Sequence, residues 1–280
     1  MAIRSTPSPL LSDLAFRNRF EYTVRVADVK KSWDKIAPHY RKRYEISTEI
    51  VHFGPLCPGE DKLRLLGDIA GKSVIDLGCG GGQNAIALAR MGARVTGVDF
   101  SDGQVAEARV LAGKHNQKIE FIKGDIGDLS FLPDSKFDLA ISACVISFVE
   151  DFETAFREAY RILRPGGRFI LSDMNPLQYI LDENDYGVEF NRIYPYQPIL
   201  LKWEWEFDEM DKTPRFQHFV RSIPAYFNAL TDVGFSVSRI HEPQSTIDTP
   251  HIGFSREILN EYKYIANHIP TTFIIVSKNK

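Results

Sequence analysis

Three aspartates and a run of glycines are the residues of this chain best suited to hold a ligand. Asp76 closes the apolar stretch Val74-Ile75, and after Leu77 glycines fall at Gly78, Gly80, Gly81 and Gly82. Glycine admits positive φ and lets a ligand approach a turn without meeting a Cβ. A dinucleotide-binding turn needs G-x-G-x-x-G, but the third position here is Gln83. Asp76 would also set negative charge against a pyrophosphate, and it suits a ligand with a cationic amino-acid end. Asp99 ends the next apolar run. A carboxylate there can accept both hydroxyls of a ribose, so it fits a dinucleotide or another adenosine ligand alike. Asp125, in Gly124-Asp125-Ile126, is by itself an ordinary turn aspartate. His52 and His218 are the candidates for moving a proton near neutral pH, and a structural histidine is the competing reading of each.

The elements that must position these residues alternate. Apolar strands are expected at 74–77, 94–100, 119–122, 137–142 and 168–172. Between them lie a small-residue helix from Ala85, a helix capped by Ser101 or Asp102 and running through Glu107 and Leu111, and an amphipathic helix from Asp151 to Leu163. Arg164-Pro165-Gly166-Gly167 closes that last helix. Such alternation implies a doubly wound α/β domain with a parallel sheet, whose ligand sits at the C-terminal strand ends. Asp76, Asp99, Asp125 and Ser142 all stand at such ends.

The flanks read less regularly. Ser32 or Asp34 can cap a short helix limited by Pro38, with Tyr40 and Tyr44 on one face. Val51 to Pro55 is a turn, and Leu63 to Leu66 belong to a helix before the first strand. Residues 173–198 look irregular. Leu200 to Asp208 then alternates, with Trp203, Trp205 and Phe207 on one face; Met210 to Pro214 turns; and Arg215 to Arg221 alternates with Phe216, His218 and Val220 together. This is an inserted β-hairpin lid whose aromatic face must be covered. A helix from Pro224 to Gly234, a strand from Phe235 to Ile240, a helix around Arg256 to Ala266 and a strand from Thr271 to Ser277 complete the chain.

Bulk properties narrow the function. The 280 residues can bury a sizeable core, and 34 basic against 37 acidic residues leave a net charge of −3 with both signs interspersed. No basic stripe recommends nucleic acid, and no apolar run suits a bilayer or a secretory leader. Cys57, Cys79 and Cys144 have neither metal-ligand nor disulfide-framework spacing, so no metal is expected and a reducing cytoplasm is the natural setting. Cys79 and Cys144 are expected to be small buried residues.

The glycine turn, with an acid before its first glycine, resembles motif I of the class I S-adenosylmethionine (SAM) dependent methyltransferases. Other segments strengthen the likeness: Trp33-Asp34-x-x-Ala37-x-x-Tyr40, Gly124-Asp125-Ile126, Phe137-Asp138-x-x-x-Ser142 and Arg161-x-Leu163-x-Pro165-Gly166-Gly167. It runs from about residue 30 to the end. The resemblance implies a mostly parallel, seven-stranded Rossmann-like sheet closed by an antiparallel pair, with residues 1–28 as an extension, 29–280 as the methyltransferase domain and the lid at about 175–222. It also implies that SAM, leaving as S-adenosylhomocysteine (SAH), is held by Tyr40, Asp76, Gly78, Cys79, Gly80, Gln83, Asp99, Phe100, Ser101, Gln104, Asp125, Ile126, Ser142 and Ala143. Asp125 with Ile126 would read the adenine, Phe100 would pack beside it, and Tyr40 would lie over the cofactor. Many relatives carry a histidine pair after the fourth strand, where this chain has Ser147-Phe148, so a proton relay built on that histidine is absent.

The expected activity is methyl transfer to an O, N or C nucleophile of a small, aromatic or hydrophobic metabolite, with residues 1–28 packed on the domain or used in a homodimer contact. Methylation of a macromolecule lacks a basic channel and an Asn-Pro-Pro-Tyr type motif, since Ser142-Ala143-Cys144-Val145 stands there. A SAM-binding sensor or scaffold is a further alternative, because methyl transfer demands few obligatory side chains. An NAD-dependent oxidoreductase is disfavoured by Gln83 and Asp76.

Overall fold

The computed structural model describes residues 26–184, 187–190, 195, 197–204, 214–246, 252–253 and 266–280. In chain order its elements are α1 (Val26–Arg43), β1 (Glu45–Ile46), α2 (Glu60–Leu63), β2 (Ser73–Leu77), α3 (Gln83–Arg90), β3 (Arg94–Asp99), α4 (Asp102–Lys114), β4 (Glu120–Lys123), β5 (Phe137–Ala143), α5 (Phe152–Ile162) and β6 (Leu163–Met174). There follow β7 (Leu181–Asn184), β8 (Gly187–Phe190), β9 (Ile199–Glu204), β10 (Arg215–Val220), α6 (Ile223–Val233), β11 (Ser236–His241), β12 (Ile252–Gly253) and β13 (Thr272–Lys278). Short 3-10 turns stand at Ile146–Phe148 and Pro176–Tyr179.

Seven strands form one sheet in the order β11-β13-β6-β5-β2-β3-β4. From β6 to β4 all neighbours are parallel, while β13 runs antiparallel to both β6 and β11. Successive core residues alternate between the faces because strand side chains do. Ile75, Ala140, Phe169 and Phe273 join α5 and α6 on one face, and Val74, Leu139, Ile170 and Ile274 join α3 and α4 on the other. Both faces are therefore covered, and the central strands are largely apolar, with Asp76, Thr96, Ser142 and Ser172 buried among them. The chain winds from β2 outward through β3 to β4, then crosses to β5 on the opposite flank of β2. That reversal opens a crevice at the carboxyl ends of β2 and β5.

Several boundaries differ from the sequence expectation. Helix α1 is 18 residues long and continues through Pro38. Tertiary contacts hold it there: Ser32 Oγ donates to the Arg215 carbonyl at 2.7 Å, and Asp34 bonds to the start of α4. Neither Ser32 nor Asp34 caps α1. Helix α2 stops at Leu63 and excludes Leu65 and Leu66, because the Glu60 carboxylate accepts from both their N–H groups and Arg64 turns left-handed. The segment 164–167 bulges within β6, between the pairings Phe137 with Leu163 and Leu139 with Arg168. The stretch 173–198 is more regular than expected, since β7 and β8 form an antiparallel hairpin of their own.

The expected inserted hairpin is present as β9 and β10, pairing Trp203 with Phe216 and Leu201 with His218. Phe216, His218 and Val220 are all buried, and Gln217 on the other face of β10 is buried as well. Trp205, Phe207 and the turn at 210–213 lie outside the described residues, as do 1–25 and most of the helix expected at 256–266. Remote segments join at this end of the sheet: β1 pairs with β12, and Thr271 Oγ1 donates to the Pro55 carbonyl at 2.9 Å. No helix among the described residues is long and apolar enough to cross a membrane.

Candidate active site

The glycine loop after β2 is shaped by its neighbours. Gly78 has φ +74°, and a Cβ there would lie 2.5 Å from both methyls of Val145, beyond β5. The N–H groups of Gly78 and Cys79 both donate to the Val98 carbonyl, at 2.8 and 3.0 Å, and so tie the loop to β3. Gly80 carries the loop onward, and its N–H donates to Asp99 Oδ2 at 2.9 Å. Open space stands where a Gly80 Cβ would be, the nearest atom being Gln104 Oε1 at 3.8 Å. Gln83 and Asn84 then begin α3, both buried. Asn84 grips the backbone of His52 in both directions, accepting its N–H and donating to its carbonyl, each at 2.9 Å.

Asp99 is held from two sides, by Gly80 N–H on Oδ2 and by Ser101 N–H on Oδ1 at 2.9 Å. An ionised carboxylate has about four acceptor sites, so one remains on each oxygen, enough for two neighbouring hydroxyls. Burial pushes Asp99 up to about 6, the two N–H donors oppose this, and the charge of Asp34 adds to it. Asp76, 2% exposed, is pushed up to about 7 by burial first and Asp99 second, against an N–H of Ala85. Its Oδ2 is buried with no hydrogen-bond partner among the described residues. Burial and both carboxylates raise the Cys79 thiol, which stays protonated. A pocket of this kind favours a cationic guest, since each aspartate gains by ionising beside one.

The other expected cofactor residues scatter in character. Ser101 caps α4, its Oγ accepting from Gln104 N–H at 3.1 Å, and Gln104 is buried beside the loop. Ser142 is wholly buried near the end of β5, its hydroxyl unpartnered among the described residues, and Ala143 is half-buried. Ile126 packs in the core beneath the sheet. Asp125 is exposed, with Oδ1 accepting from Gly127 N–H at 2.8 Å. Phe100 and Tyr40 pack with Trp33, Phe148 and Phe216 in a small cluster under α1. Burial raises the Tyr40 phenol, and its ring lies 4.9 Å from that of Tyr44.

This cluster forms an aromatic wall. Trp33 meets the rings of Tyr40, Phe148 and Phe216 at 5.6, 5.6 and 5.2 Å. Buried His218 lies 4.7 Å from Tyr179 and 6.2 Å from Phe148. The wall draws on α1, the turn after β5 and β10, and His218 lies in it, while His52 is held beside the first turn of α3, next to the glycine loop. Cys144, expected to be buried, is half-buried and left-handed at φ +57°.

The site also rests on residues that the sequence does not single out. Asp173 Oδ2 accepts from Ser147 N–H at 2.7 Å and from the Tyr226 hydroxyl at 3.1 Å. Buried Arg221 donates to the carbonyls of Ile146, Val149 and Glu150 at 3.3, 2.7 and 2.9 Å, its guanidinium 4.4 Å from the Phe152 ring centre. The turn bearing Phe148 thus meets an anion at its N–H end and a cation at its carbonyl end, the arrangement a helical dipole favours. Each partner is distant in sequence, which hides it from pattern reading.

Residues 75–171 match a family model described as a methyltransferase domain. The chain is 36% identical to an uncharacterized methyltransferase, YbaJ, of Bacillus subtilis (strain 168), over 62% of this chain and 69% of that protein. The chain belongs to the class I SAM-dependent methyltransferases. It is 32% identical to the demethylmenaquinone methyltransferase of Thermus thermophilus, over 59% of this chain and 74% of that protein. Its fold matches a SAM-dependent methyltransferase structure from Mesorhizobium loti with a TM-score of 0.60 at 24% identity, covering 77% of this chain and 94% of the other. SAM is therefore its cofactor. The unpartnered Asp76 oxygen, the open space over Gly80 and the spare acceptor sites of Asp99 all fit that molecule.

Proposed function

We propose that this methyltransferase acts on a small, aromatic or hydrophobic metabolite. The observation that carries the reading is the aromatic wall of Trp33, Tyr40, Phe148 and Phe216 at the carboxyl end of the sheet. The similarity to a demethylmenaquinone methyltransferase supports a small acceptor. Asp76 would hold the cofactor's ammonium, Asp99 its ribose hydroxyls, and Asp125 with Ile126 its adenine. The bound cofactor supplies an electrophilic methyl on a sulfonium, which an O, N or C nucleophile takes in line while the bonding pair returns to sulfur. The protein's task is to aim the acceptor and exclude water. Where the acceptor must shed a proton, His218 is the first base to test and His52 the second.

Incubating the protein with methyl-labelled SAM and fractionated metabolites, total RNA and peptide pools tests this. Label is expected in a small-molecule fraction. Label in RNA or peptide would overturn the proposal, and tight SAM binding with no transfer to any pool would replace it with a sensor or scaffold. Asp99→Ala is expected to weaken SAM binding at least tenfold by calorimetry.

A further inference from the structure

We propose that Asp34 is a positioning residue of the cofactor site, fixing Ser101 from α1 and, through Ser101, the carboxylate of Asp99. The proposal rests on the reading that Asp99 accepts the ribose hydroxyls.

Asp34 Oδ1 accepts two donors at once, the Ser101 hydroxyl at 2.7 Å and Gly103 N–H at 3.1 Å. Ser101 has no exposed surface, so without Asp34 its hydroxyl hydrogen would be a buried donor lacking this acceptor. The same serine caps α4 by accepting from Gln104 N–H, and it orients Asp99 by donating its own N–H to Oδ1. Asp34, Ser101 and Asp99 therefore form one chain of hydrogen bonds, whose far end holds the spare acceptor sites.

The backbone enforces the same approach. Pro38 has no N–H, so it cannot bond the Asp34 carbonyl four residues earlier in α1. That carbonyl oxygen would lie 2.6 Å from a Cβ at residue 103, and Ala37 Cβ would lie 3.2 Å from it, so glycine alone lets α1 sit this close to α4. Both the side chain and the backbone of Asp34 thus press on the first turn of α4. A second link between the helices, the Arg41–Glu107 ion pair at 3.1 Å, lies further along and touches neither Ser101 nor Asp99. It separates helix docking in general from the positioning of Ser101.

SAH titration calorimetry on the full chain tests this with five variants, each first checked for a wild-type circular dichroism spectrum. Asp34→Ala and Ser101→Ala are expected to weaken SAH binding about tenfold, the worth of a buried hydrogen bond that loses one partner. Asp34→Asn keeps an acceptor oxygen and should stay within about twofold of wild type. Glu107→Gln should also stay within about twofold, as a partly exposed ion pair contributes little. An equal loss in Asp34→Asn and Asp34→Ala would overturn the proposal, as would an equal loss in Glu107→Gln. If Asp34→Ala does not fold, Ser101→Ala against Asp34→Asn decides the question in the same way. Asp99→Ala separates the two layers: if it binds SAH normally the ribose reading fails, and if it alone weakens binding only the role of Asp34 fails.

Discussion

Replacing Asp76 with asparagine is expected to make the free protein more stable at pH 8 and a poorer binder of its cofactor. Burial lifts this carboxyl from an ordinary 3.8 to about 7. The native chain therefore holds its proton more tightly than the unfolded chain. Stability is greatest below the usual carboxylate range and declines as pH climbs to about 7. At 1.36 kcal/mol per pH unit, the difference between 7 and 3.8 is about 4 kcal/mol of lost stability at pH 8. The amide avoids that cost but brings two N–H donors into a buried place, worth about 1–3 kcal/mol against it. The net gain at pH 8 is about 1–3 kcal/mol, or roughly 2–10 °C in Tm for a domain of this size. At pH 5, where the native carboxyl is already neutral, the gain should vanish. SAH retains the ammonium that Asp76 would meet, so its binding should fall roughly 10- to 200-fold on loss of a charge-assisted bond. Thermal unfolding at both pH values, with calorimetry of SAH, checks each half. A variant less stable than wild type at pH 8, with SAH affinity unchanged, would refute the reasoning.

Three further outcomes are expected. SAH binding should tighten as pH rises from 5 to 8, because a bound ammonium favours ionised Asp76 (about 7) and hydroxyls favour ionised Asp99 (about 6); calorimetry in two buffers should register proton release, and proton uptake would contradict this. Gly78→Ala combines a φ of +74° with the 2.5 Å approach to Val145 and should cost about 2–5 kcal/mol in urea unfolding, of which Val145→Ala recovers only the steric part. Arg221→Met strips three carbonyls of their donor and removes the positive charge that interacts with Asp173; a loss of about 3–5 kcal/mol is expected, and under 1 kcal/mol would show the network to be idle.

The central strands were legible in the sequence because they are buried on both faces and read as largely apolar runs between glycine or proline signals, while β4 and β11 at the sheet edges are partly exposed. The glycine loop was legible for a related reason: Gly78 must avoid Val145, and only that residue type allows it. What escaped was set by distant partners. Pro38 signalled the end of a helix, yet contacts of Ser32 with Arg215 and of Asp34 with Ser101 carry α1 through it. Glu60 pulls Leu65 and Leu66 out of α2 through its carboxylate, which no propensity records. The hairpin of β7 and β8 has only four residues in each strand, and Asp182, Glu183, Asn184 and Gly187 between its apolar ends read as loop. For the site, the strand-end aspartates announced themselves by position, whereas the roles of Asp34, Asp173 and Arg221 emerge through partners 26 to 75 positions away.

The two compartments of this enzyme differ in how far the chain must travel to build them. Asp76 and Asp99 stand on parallel neighbours joined through a single helix. The aromatic wall, by contrast, draws on α1 and β10, joined by the bond of Ser32 to Arg215 across 183 positions. Loops of that length cost chain entropy before their contacts can repay it, so such joins form late. On the proposed reading, the enzyme would gain its grip on the methyl donor while still partly made, and its sense of which acceptor to receive only at the last step of assembly.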